Sequence, residues 1–489
     1  MVEMNAPIFT GNYDLDMEKV RKGLEIHSDL QCRQFLLGVT PLRAALVFVD
    51  GLSDKEFIDR NLIRELMKGE YELPVTTDFI QNRILSIGRL LQDAAKEQWL
   101  AKVLFGYTML LVEGLCEPIL IDTVLGGKRD LQEPETEGLV RGPRIGFNEV
   151  LADNTALLRR SGETDTLVIT KRTIGIRSRK LVAIAYFSDI VEPNLVQEVE
   201  RRISKIDLDH LPESGYIEQL IEDDPLSPFQ QVQNTERPDK VIAALLEGRV
   251  AILLDGTPFV LIVPTTFSML LQSPEDYYDR WLPVSFIRLL RFIAVGVALL
   301  LPSIYISFIS FHPGLIPTKL VISIMHTRNG VPFPAYIEAI VMEVAIEILR
   351  EAGLRLPKPI GPAMGIVGGL IIGEASVQAG IVSPILVIVV AGTAVTSFTI
   401  PAYSAGITFR FLRFFAMMSA ALFGLYGVLM FLLLIASHLV RLKSFGVPYL
   451  SPAIPYRISD WKDLLFRLPI GYMKRRPEML KSLDVIRKK

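Results

Sequence analysis

The stretch that decides the fold is residues 292–311, FIAVGVALLLPSIYISFISF, a run of 20 uncharged residues. At a rise of about 1.5 Å per residue, a helix of this length crosses the ~30 Å hydrocarbon core of a bilayer. Further apolar runs lie at residues 382–399 and 414–437, and residues 361–380 form a fourth if one carboxylate is tolerated. The sequence therefore predicts an α-helical transmembrane domain of four or five helices over residues 282–440.

The fifth helix depends on residues 334–357, which have helical apolar spacing but carry several charges. At 100° per residue, Glu343 and Glu347 share one face with Arg350, whereas Glu338 lies on the opposite side. Because a carboxylate exposed to lipid is costly, a helix surrounded only by lipid is excluded. A helix of this kind could lie at the membrane surface, pack within a bundle or line a water-filled path.

The run at 361–380 has one side made of small residues. Such a side lets a neighbouring helix approach closely, as in small-xxx-small packing motifs. The predicted helix-packing residues are glycines that recur every four positions: Gly361, Gly365, Gly369 and Gly373.

The opposite side of the same run is polar, because Glu374 and Gln378 lie one helical turn apart. Two interpretations remain open. In the first, Glu374 forms an ion pair within the chain, with one of the cations Arg350, Arg355 and Lys358. In the second, Glu374 and Gln378 face a hydrated ion path, since acids inside membranes mark ion pathways. The candidate residues for such a path are Glu374, Gln378, Glu343 and Glu347.

Residues 1–270 have the mixed pattern of an α/β region. Continuous apolar runs begin near Ala44 and Leu181, and each is followed by a turn and a helical pattern, which predicts strands covered on both faces. We predict two α/β subdomains, residues 1–140 and 141–270. Within the second, RVAILLDGTPFVLIVP at 249–264 places Asp-Gly between two apolar runs, which predicts a β-hairpin.

Charge and motifs exclude several classes of function. Residues 1–311 carry a net charge of −12, which argues against nucleic acid as a partner. The five histidines show no metal-ligand spacing, and there is no GxSxG motif, so we predict a protein that is not an enzyme and has no catalytic residues, metal or cofactor. The charged residues 236–240, ERPDK, are expected to be solvated loop ends.

The two ends of the chain are predicted to lie on the same side of the membrane. An even number of spans places them together, and the tail 441–489 carries a net charge of +8. By the positive-inside rule, this basic tail is cytoplasmic. The first residues lack the basic and apolar regions of a secretory signal, so the N-terminal region is expected to be cytoplasmic as well.

Several long strings resemble the A subunit of bacterial spore germinant receptors, the GerA type. The resemblance runs from about residue 141 to residue 455, whereas residues 1–140 match only in general shape. The strings that carry it include GPRIGFNEVLADNTALLRR (142–160), SGYIEQLIEDDPLSPFQQVQNTERPDKV (214–241), LQSPEDYYDRW (271–281), REAGLRLPKPIGPAMGIVGGLIIGEASVQAGIVSPI (350–385) and SFGVPYLSPAIP (444–455).

This resemblance implies a multi-pass protein in the inner membrane of the spore, surrounded by lipid, with cytoplasmic N- and C-terminal regions. It implies three protein partners: further copies of the same chain, a transporter-like B subunit that senses a nutrient, and a lipoprotein C subunit. The copies would form a ring, a pentamer, around a nutrient-gated cation channel whose opening triggers germination. Other interpretations stay open: a paralogous channel that amplifies germination, a membrane-anchored scaffold, or a transporter-like subunit.

Overall fold

The structure is a computed structural model that describes residues 9–68, 75–80, 99–125, 133–162, 164–355, 369 and 373–487. By its internal contacts, the chain divides into an α/β unit and a helical unit. The α/β unit comprises Met1–Pro225, Val232–Pro264 and Lys474–Lys489, and the helical unit comprises Leu226–Gln231 and Thr265–Met473. The basic tail, expected as one segment, is thus divided between the two units.

The first sheet of the α/β unit is antiparallel, with strand order β1-β2-β3-β4. Its strands are β1 (Leu30–Leu36), β2 (Arg43–Val49), β3 (Thr108–Val112) and β4 (Ile119–Ile121). Its helices are α1 (Tyr13–Ile26), α2 (Lys55–Phe57), a π-helix (Ile58–Ile63), α3 (Arg64–Lys68), α4 (Thr77–Phe79) and α5 (Trp99–Leu104). On β2, Ala45 and Val47 join one apolar cluster while Leu46 and Phe48 join another. This alternation confirms a strand covered on both faces.

The second sheet is also antiparallel, with strand order β5-β6-β8-β9-β7. Its strands are β5 (Leu167–Ile174), β6 (Lys180–Phe187), β7 (Gln233–Thr235), β8 (Val250–Leu254) and β9 (Val260–Val263). Its helices are α6 (Leu151–Gly162), α7 (Pro193–Ser204), α8 (Ser214–Ile221) and α9 (Pro238–Glu247). The predicted hairpin is confirmed: β8 pairs with β9, and Gly256 in the connection has a φ of +91°.

The charged residues 236–240 are not solvated loop ends, so that expectation is wrong. Glu236 is 5% exposed and Arg237 is 1% exposed. Arg237 donates to the carbonyl oxygens of Glu137 at 3.3 Å and Pro143 at 2.8 Å, and it pairs with Asp239 at 2.9 Å. These side chains are buried because residues 135–143, in the segment that leads from the first sheet to the second, cover them and hydrogen-bond to them.

A buried ion pair joins the two sheets. Arg159 of α6 contacts Asp29, which precedes β1, with N···O distances of 2.5 and 2.7 Å, and neither side chain is more than 1% exposed. Arg159 also donates to the Leu167 carbonyl at 2.8 Å and lies 3.3 Å from Nδ1 of His27. Burial and the neighbouring Arg159 guanidinium lower the pKa of His27 to about 4.

We expect the α/β unit to lose stability in mild acid because of His27. The unfolded chain takes up this proton near pH 6.5, whereas the folded chain takes it up only near pH 4. Between these values the unfolded state binds more protons, so the free energy of unfolding falls by about 3 kcal/mol as the pH decreases from 6.5 to 4. Urea unfolding of the full chain in detergent, followed by Trp99 fluorescence after Trp281→Phe and Trp461→Phe, measures this loss.

Two variants isolate the contribution of this histidine. His27→Gln should remove the additional acid sensitivity below pH 6.5, and the matched change at the exposed His210 should leave it in place. If His27→Gln retains the full pH dependence, other groups are responsible for it.

The helical unit contains the long apolar helices. Its helices are α10 (Phe267–Leu270), α11 (Glu275–Tyr278), α12 (Trp281–Ser310), α13 (Thr318–Arg328), α14 (Ala335–Arg355), α15 (Pro384–Ser397) and α16 (Tyr403–Arg441). After α16 come the short paired strands β10 (Lys443–Ser444) and β11 (Val447–Pro448). Short 3₁₀-helices lie at Pro313–Leu315, Ile458–Asp463, Ile470–Tyr472 and, in the α/β unit, Glu478–Leu480.

Among the described residues, two helical runs are long and apolar enough, by length and composition, to cross a membrane: α12 and α16. The second is counted as one run across the reversal described below. The helix predicted at 292–311 is therefore confirmed within α12. The run 382–399 forms α15, a shorter apolar helix of 14 residues. Most of the predicted span 361–380 lies outside the described residues.

Helix α16 reverses direction at Gly424, which has non-helical angles of φ 58° and ψ −141°. The Phe229 ring lies 6.3 Å from Phe409 and 6.0 Å from His438, so those two rings are at most about 12 Å apart. A straight helix would separate them by about 44 Å. The chain therefore forms a helical hairpin. Its parts are the first arm, residues 403–423, and the second arm, residues 425–441.

The hairpin corrects the prediction of one continuous span at 414–437. That run is apolar and helical, but the turn divides it. A Cβ atom at Gly427 would collide with the carbonyl group of Ser419, eight residues earlier, because the two arms approach closely beside the turn. Glycine at this position makes that approach possible.

Candidate functional site in the helical unit

Glu343 of α14 and Arg413 of the first arm form an ion pair in the interior of the helical unit. Nη1 of Arg413 lies 2.5 Å from Oε2 of Glu343, and both side chains are 1% exposed. A charge that is removed from water needs a partner of opposite charge and hydrogen bonds to compensate for lost solvation. The pair therefore allows two ionised groups to lie among apolar helices.

Arg413 also compensates for a missing hydrogen bond in α12. Pro302 has no N–H group, so the carbonyl of Ala298, four residues earlier, lacks its usual helical donor. Nε of Arg413 donates to that carbonyl oxygen at 2.7 Å. One side chain thereby links α12, α14 and the first arm.

Glu347 lies one helical turn beyond Glu343 and has two cationic neighbours. Its oxygens lie 3.7 Å from Arg350 and 3.5 Å from Arg410. Arg350 also donates to the Ser397 hydroxyl at 3.1 Å, and its guanidinium lies 4.7 Å from the centre of the Phe398 ring. Together with the Arg413 pair, the cluster contains three guanidinium groups and two carboxylates, so its formal charge is +1.

Three polar atoms in this cluster have no hydrogen-bond partner among the residues that the structure describes. They are Oε1 of Glu343, Oε1 of Glu347 and Nη2 of Arg413. Two of them are acceptors and one is a donor. The cluster is therefore not fully satisfied by hydrogen bonds within the described part of the chain.

Glu338 belongs to a second buried cluster near the start of α14. Its carboxylate lies 2.5 Å from Arg328 and accepts the backbone N–H of Ser383 at 3.1 Å. Arg328 also donates to the Tyr305 hydroxyl at 3.0 Å, which lies 3.0 Å from the Ser383 hydroxyl. The helical wheel placed Glu338 away from Glu343, and the structure buries both carboxylates against different neighbours.

Helix α14 thus packs within a bundle, the second of the three arrangements that its sequence allows. It contacts α12, α15 and α16. Arginines from the first arm neutralise its inner carboxylates. Within a single chain, Glu343 and Glu347 are therefore both ion-paired.

Glu374 and Gln378 lie in a different environment. Both are exposed on the surface of the single chain, and Nε2 of Gln378 donates to Oε1 of Glu374 at 3.1 Å. Arg350 pairs with Glu347, and Arg355 pairs with Glu351 at 2.8 Å. Lys358, the third cation considered for Glu374, lies outside the described residues.

The four predicted packing glycines are only partly described. Gly361 and Gly365 lie outside the described residues. Gly369 is exposed, and no atom of the described chain lies within 4 Å of the position a Cβ would occupy. Gly373 is buried, and a Cβ there would lie 3.6 Å from Val387. Gly373 therefore permits packing within the chain, whereas Gly369 faces outward.

Sequence reasoning missed the arginines that complete these clusters. Arg410 and Arg413 stand in the apolar run FRFLRFF at 409–415, and Arg328 ends α13. The available signal was the presence of cations beside a strongly apolar segment, because such residues are retained there only with partners.

The α/β unit, the long apolar helices and the buried ion pairs define a membrane-associated protein with a large polar region. Its relatives agree with this class. One of them, 42% identical over 92% of this chain and 88% of its own length, is described as the uncharacterized membrane protein YfkQ of Bacillus subtilis.

Residues 18–479 match the model of the Bacillus/Clostridium GerA spore germination protein family. Spore germination protein GerLA of Bacillus cereus is 43% identical over 97% of this chain and 96% of its own length. Spore germination protein A1 of Bacillus subtilis is 45% identical over 85% of this chain and 86% of its own length. The chain belongs to the GerA family.

Among solved structures, the chain is similar to the N-terminal domain of the A subunit of the Bacillus megaterium spore germinant receptor GerK3. The sequence identity is 28%, the match covers 53% of this chain and 97% of that chain, and the TM-score is 0.39.

Proposed function

We propose that this chain is a non-enzymatic subunit of a spore germinant receptor and that several copies enclose a nutrient-gated cation path. Membership of the spore germination family supports the receptor role. The copies form a closed ring, a pentamer, in the inner membrane of the spore. The other partners are a transporter-like B subunit that senses the nutrient and a lipoprotein C subunit.

The observation that carries the ion path is the exposure of Glu374 and Gln378 on an otherwise apolar segment. A carboxylate facing lipid is costly, so an exposed one needs water or a partner subunit beside it. Rings of acidic side chains favour cations. Glu343 and Glu347 are less suited to this role, because three arginines give their cluster a positive formal charge.

Contacts within the helical unit support the prediction that its two ends lie on the same side of the membrane. Arg288, near the start of α12, pairs with Asp463 of the tail at 2.6 Å. The backbone N–H of Arg467 donates to the Ser285 hydroxyl at 3.1 Å. The chain therefore enters and leaves the bundle at one end, and the positive charge of the tail supports a cytoplasmic location for that end.

Glu374→Gln is expected to reduce cation conductance about fivefold. The change removes one negative charge from each copy, and a single charge is worth about 1 kcal/mol, or about fivefold in affinity, to a cation ~4 Å away in water. The measurement is single-channel conductance of the full chain, reconstituted with its partner subunits in planar bilayers and opened by a rich nutrient broth.

Glu351→Gln is the matched control. Glu351 is also an exposed carboxylate in the helical unit, but it is paired with Arg355 on α14, and its neutralisation should leave conductance unchanged. Wild-type conductance and selectivity in Glu374→Gln would exclude a pore role for Glu374. No conductance from any variant would exclude the channel itself.

A further inference from the structure

Residues 226–231, LSPFQQ, occupy an unusual place in the chain. They lie between α8 and β7, which both belong to the α/β unit, yet their own contacts place them in the helical unit. We call these six residues the inserted segment. Four residues separate it from the end of α8, and one residue separates it from β7. Both connections are short, because an extended chain spans only about 3.5 Å per residue.

Both arms of the hairpin hold the inserted segment by hydrogen bonds. On the first arm, the Thr408 hydroxyl donates to the carbonyl of Pro228 at 2.7 Å. On the second arm, Nε2 of His438 lies 2.8 Å from the Ser227 hydroxyl. The segment therefore contacts the two arms at adjacent residues.

The side chain of Phe229 fills the space between these contacts. It is 4% exposed, and its ring lies 6.3 Å from Phe409, 6.0 Å from His438 and 6.4 Å from Tyr449. Such edge and stacked arrangements favour one relative orientation of the rings. A displacement of Phe229 would therefore displace both arms or open a cavity between them.

The residues after Phe229 are fixed by the turn that follows the hairpin. The Tyr449 hydroxyl donates to the carbonyl of Gln230, and the Ser444 hydroxyl donates to the carbonyl of Gln231, each at 2.7 Å. Ser444 also accepts the backbone N–H of Thr265 at 2.9 Å. Every residue from Ser227 to Gln231 thus has a fixed contact within the helical unit.

We propose that the inserted segment is a coupling element: it converts movements of α8 and β7 into movements of the two hairpin arms, and thereby controls opening of the ion path. This inference rests on the proposed channel function. Its physical basis is a short connection to the α/β unit at both ends and a rigid attachment to both arms in the middle.

Thr408→Val tests the coupling with little change in volume, because it removes the hydroxyl that holds Pro228. Phe229→Leu is the second variant, since it keeps an apolar side chain while removing the ring contacts. The control is Leu226→Ala, because Leu226 lies in the same segment and is 93% exposed.

In spores that carry the full receptor, Thr408→Val and Phe229→Leu are expected to slow cation release about tenfold after addition of a rich nutrient broth. The amount of subunit in the membrane fraction and the single-channel conductance should remain at wild-type values. Leu226→Ala should release cations at the wild-type rate.

Wild-type release by Thr408→Val would overturn the coupling role. Loss of the subunit from the membrane in Thr408→Val would also overturn it, because the contact would then serve folding alone. A changed conductance with an unchanged nutrient response would assign these residues to the pore and overturn the coupling role. Failure of the channel proposal is distinct, because it would abolish conductance in the unmodified receptor.

Discussion

Replacing Arg413 with methionine is expected to lower the free energy of unfolding of the helical unit by about 3–5 kcal/mol. The change leaves the Glu343 carboxylate buried without its cation and leaves the Ala298 carbonyl without a donor. Methionine retains much of the volume of arginine, so the loss reflects the missing charge and hydrogen bonds. Titration of the full chain in mixed micelles with dodecyl sulfate, followed by circular dichroism, measures the unfolding transition.

A double variant separates the ion pair from the carbonyl contact. Arg413→Met with Glu343→Leu removes both charges, so most of the lost stability should return, apart from the cost of the unpaired Ala298 carbonyl. Arg355→Met is the matched control, because its pair with Glu351 is mostly exposed, and it should change stability by less than about 1 kcal/mol. A double variant as unstable as the single one would show that Glu343 and Arg413 are not coupled.

The sequence predicted those features that depend on neighbouring residues. The apolar run from Ala44 became a strand buried on both faces, and Asp255-Gly256 lies in the connection of a hairpin. The three- and four-residue spacing of Glu343, Glu347 and Arg350 placed them on one face of a helix, and they form one cluster. In each case the period of the backbone conformation determines which side chains meet.

The partners of these side chains could not be predicted in the same way. Arg413 lies 70 residues from Glu343 along the chain, and no spacing rule connects them. The burial of Glu236 and Arg237 was missed for the same reason, since their partners Thr136 and Pro143 lie in the segment between the two sheets. Charge in a sequence does not indicate whether a distant segment will cover it.

The hydropathy of the sequence does not reveal the reversal at Gly424. Both arms are apolar, so an average over a window centred on the turn is as high as within a single span. The length of the run gave no signal either, because the 24 residues at 414–437 would extend for about 36 Å, as expected of a single span. The signal that the sequence does contain is a pair of glycines, Gly424 and Gly427, three residues apart near the middle of this run.

Gly424→Ala is therefore expected to destabilise the helical unit by about 2–5 kcal/mol. At φ 58° and ψ −141° an L-residue is strained, whereas glycine is not. An added Cβ would also lie 2.8 Å from Cβ and Cγ of Phe311 and 3.0 Å from Cε1 of His312. The Cβ atom of Phe311 cannot move without shifting the end of α12, so both effects act in the same direction.

The matched control is Gly406→Ala on the first arm, where an added Cβ has open space among the described residues. Alanine favours the helical conformation over glycine, so this variant should be as stable as the wild type or more stable by up to about 1 kcal/mol. The same micelle titration compares the two variants. If Gly424→Ala matched the control, the chain would not need to reverse at Gly424, and the joint contact of Phe409 and His438 with Phe229 would require a different turn. Equal stability would thus contradict the hairpin, and with it the simultaneous attachment of both arms to the inserted segment.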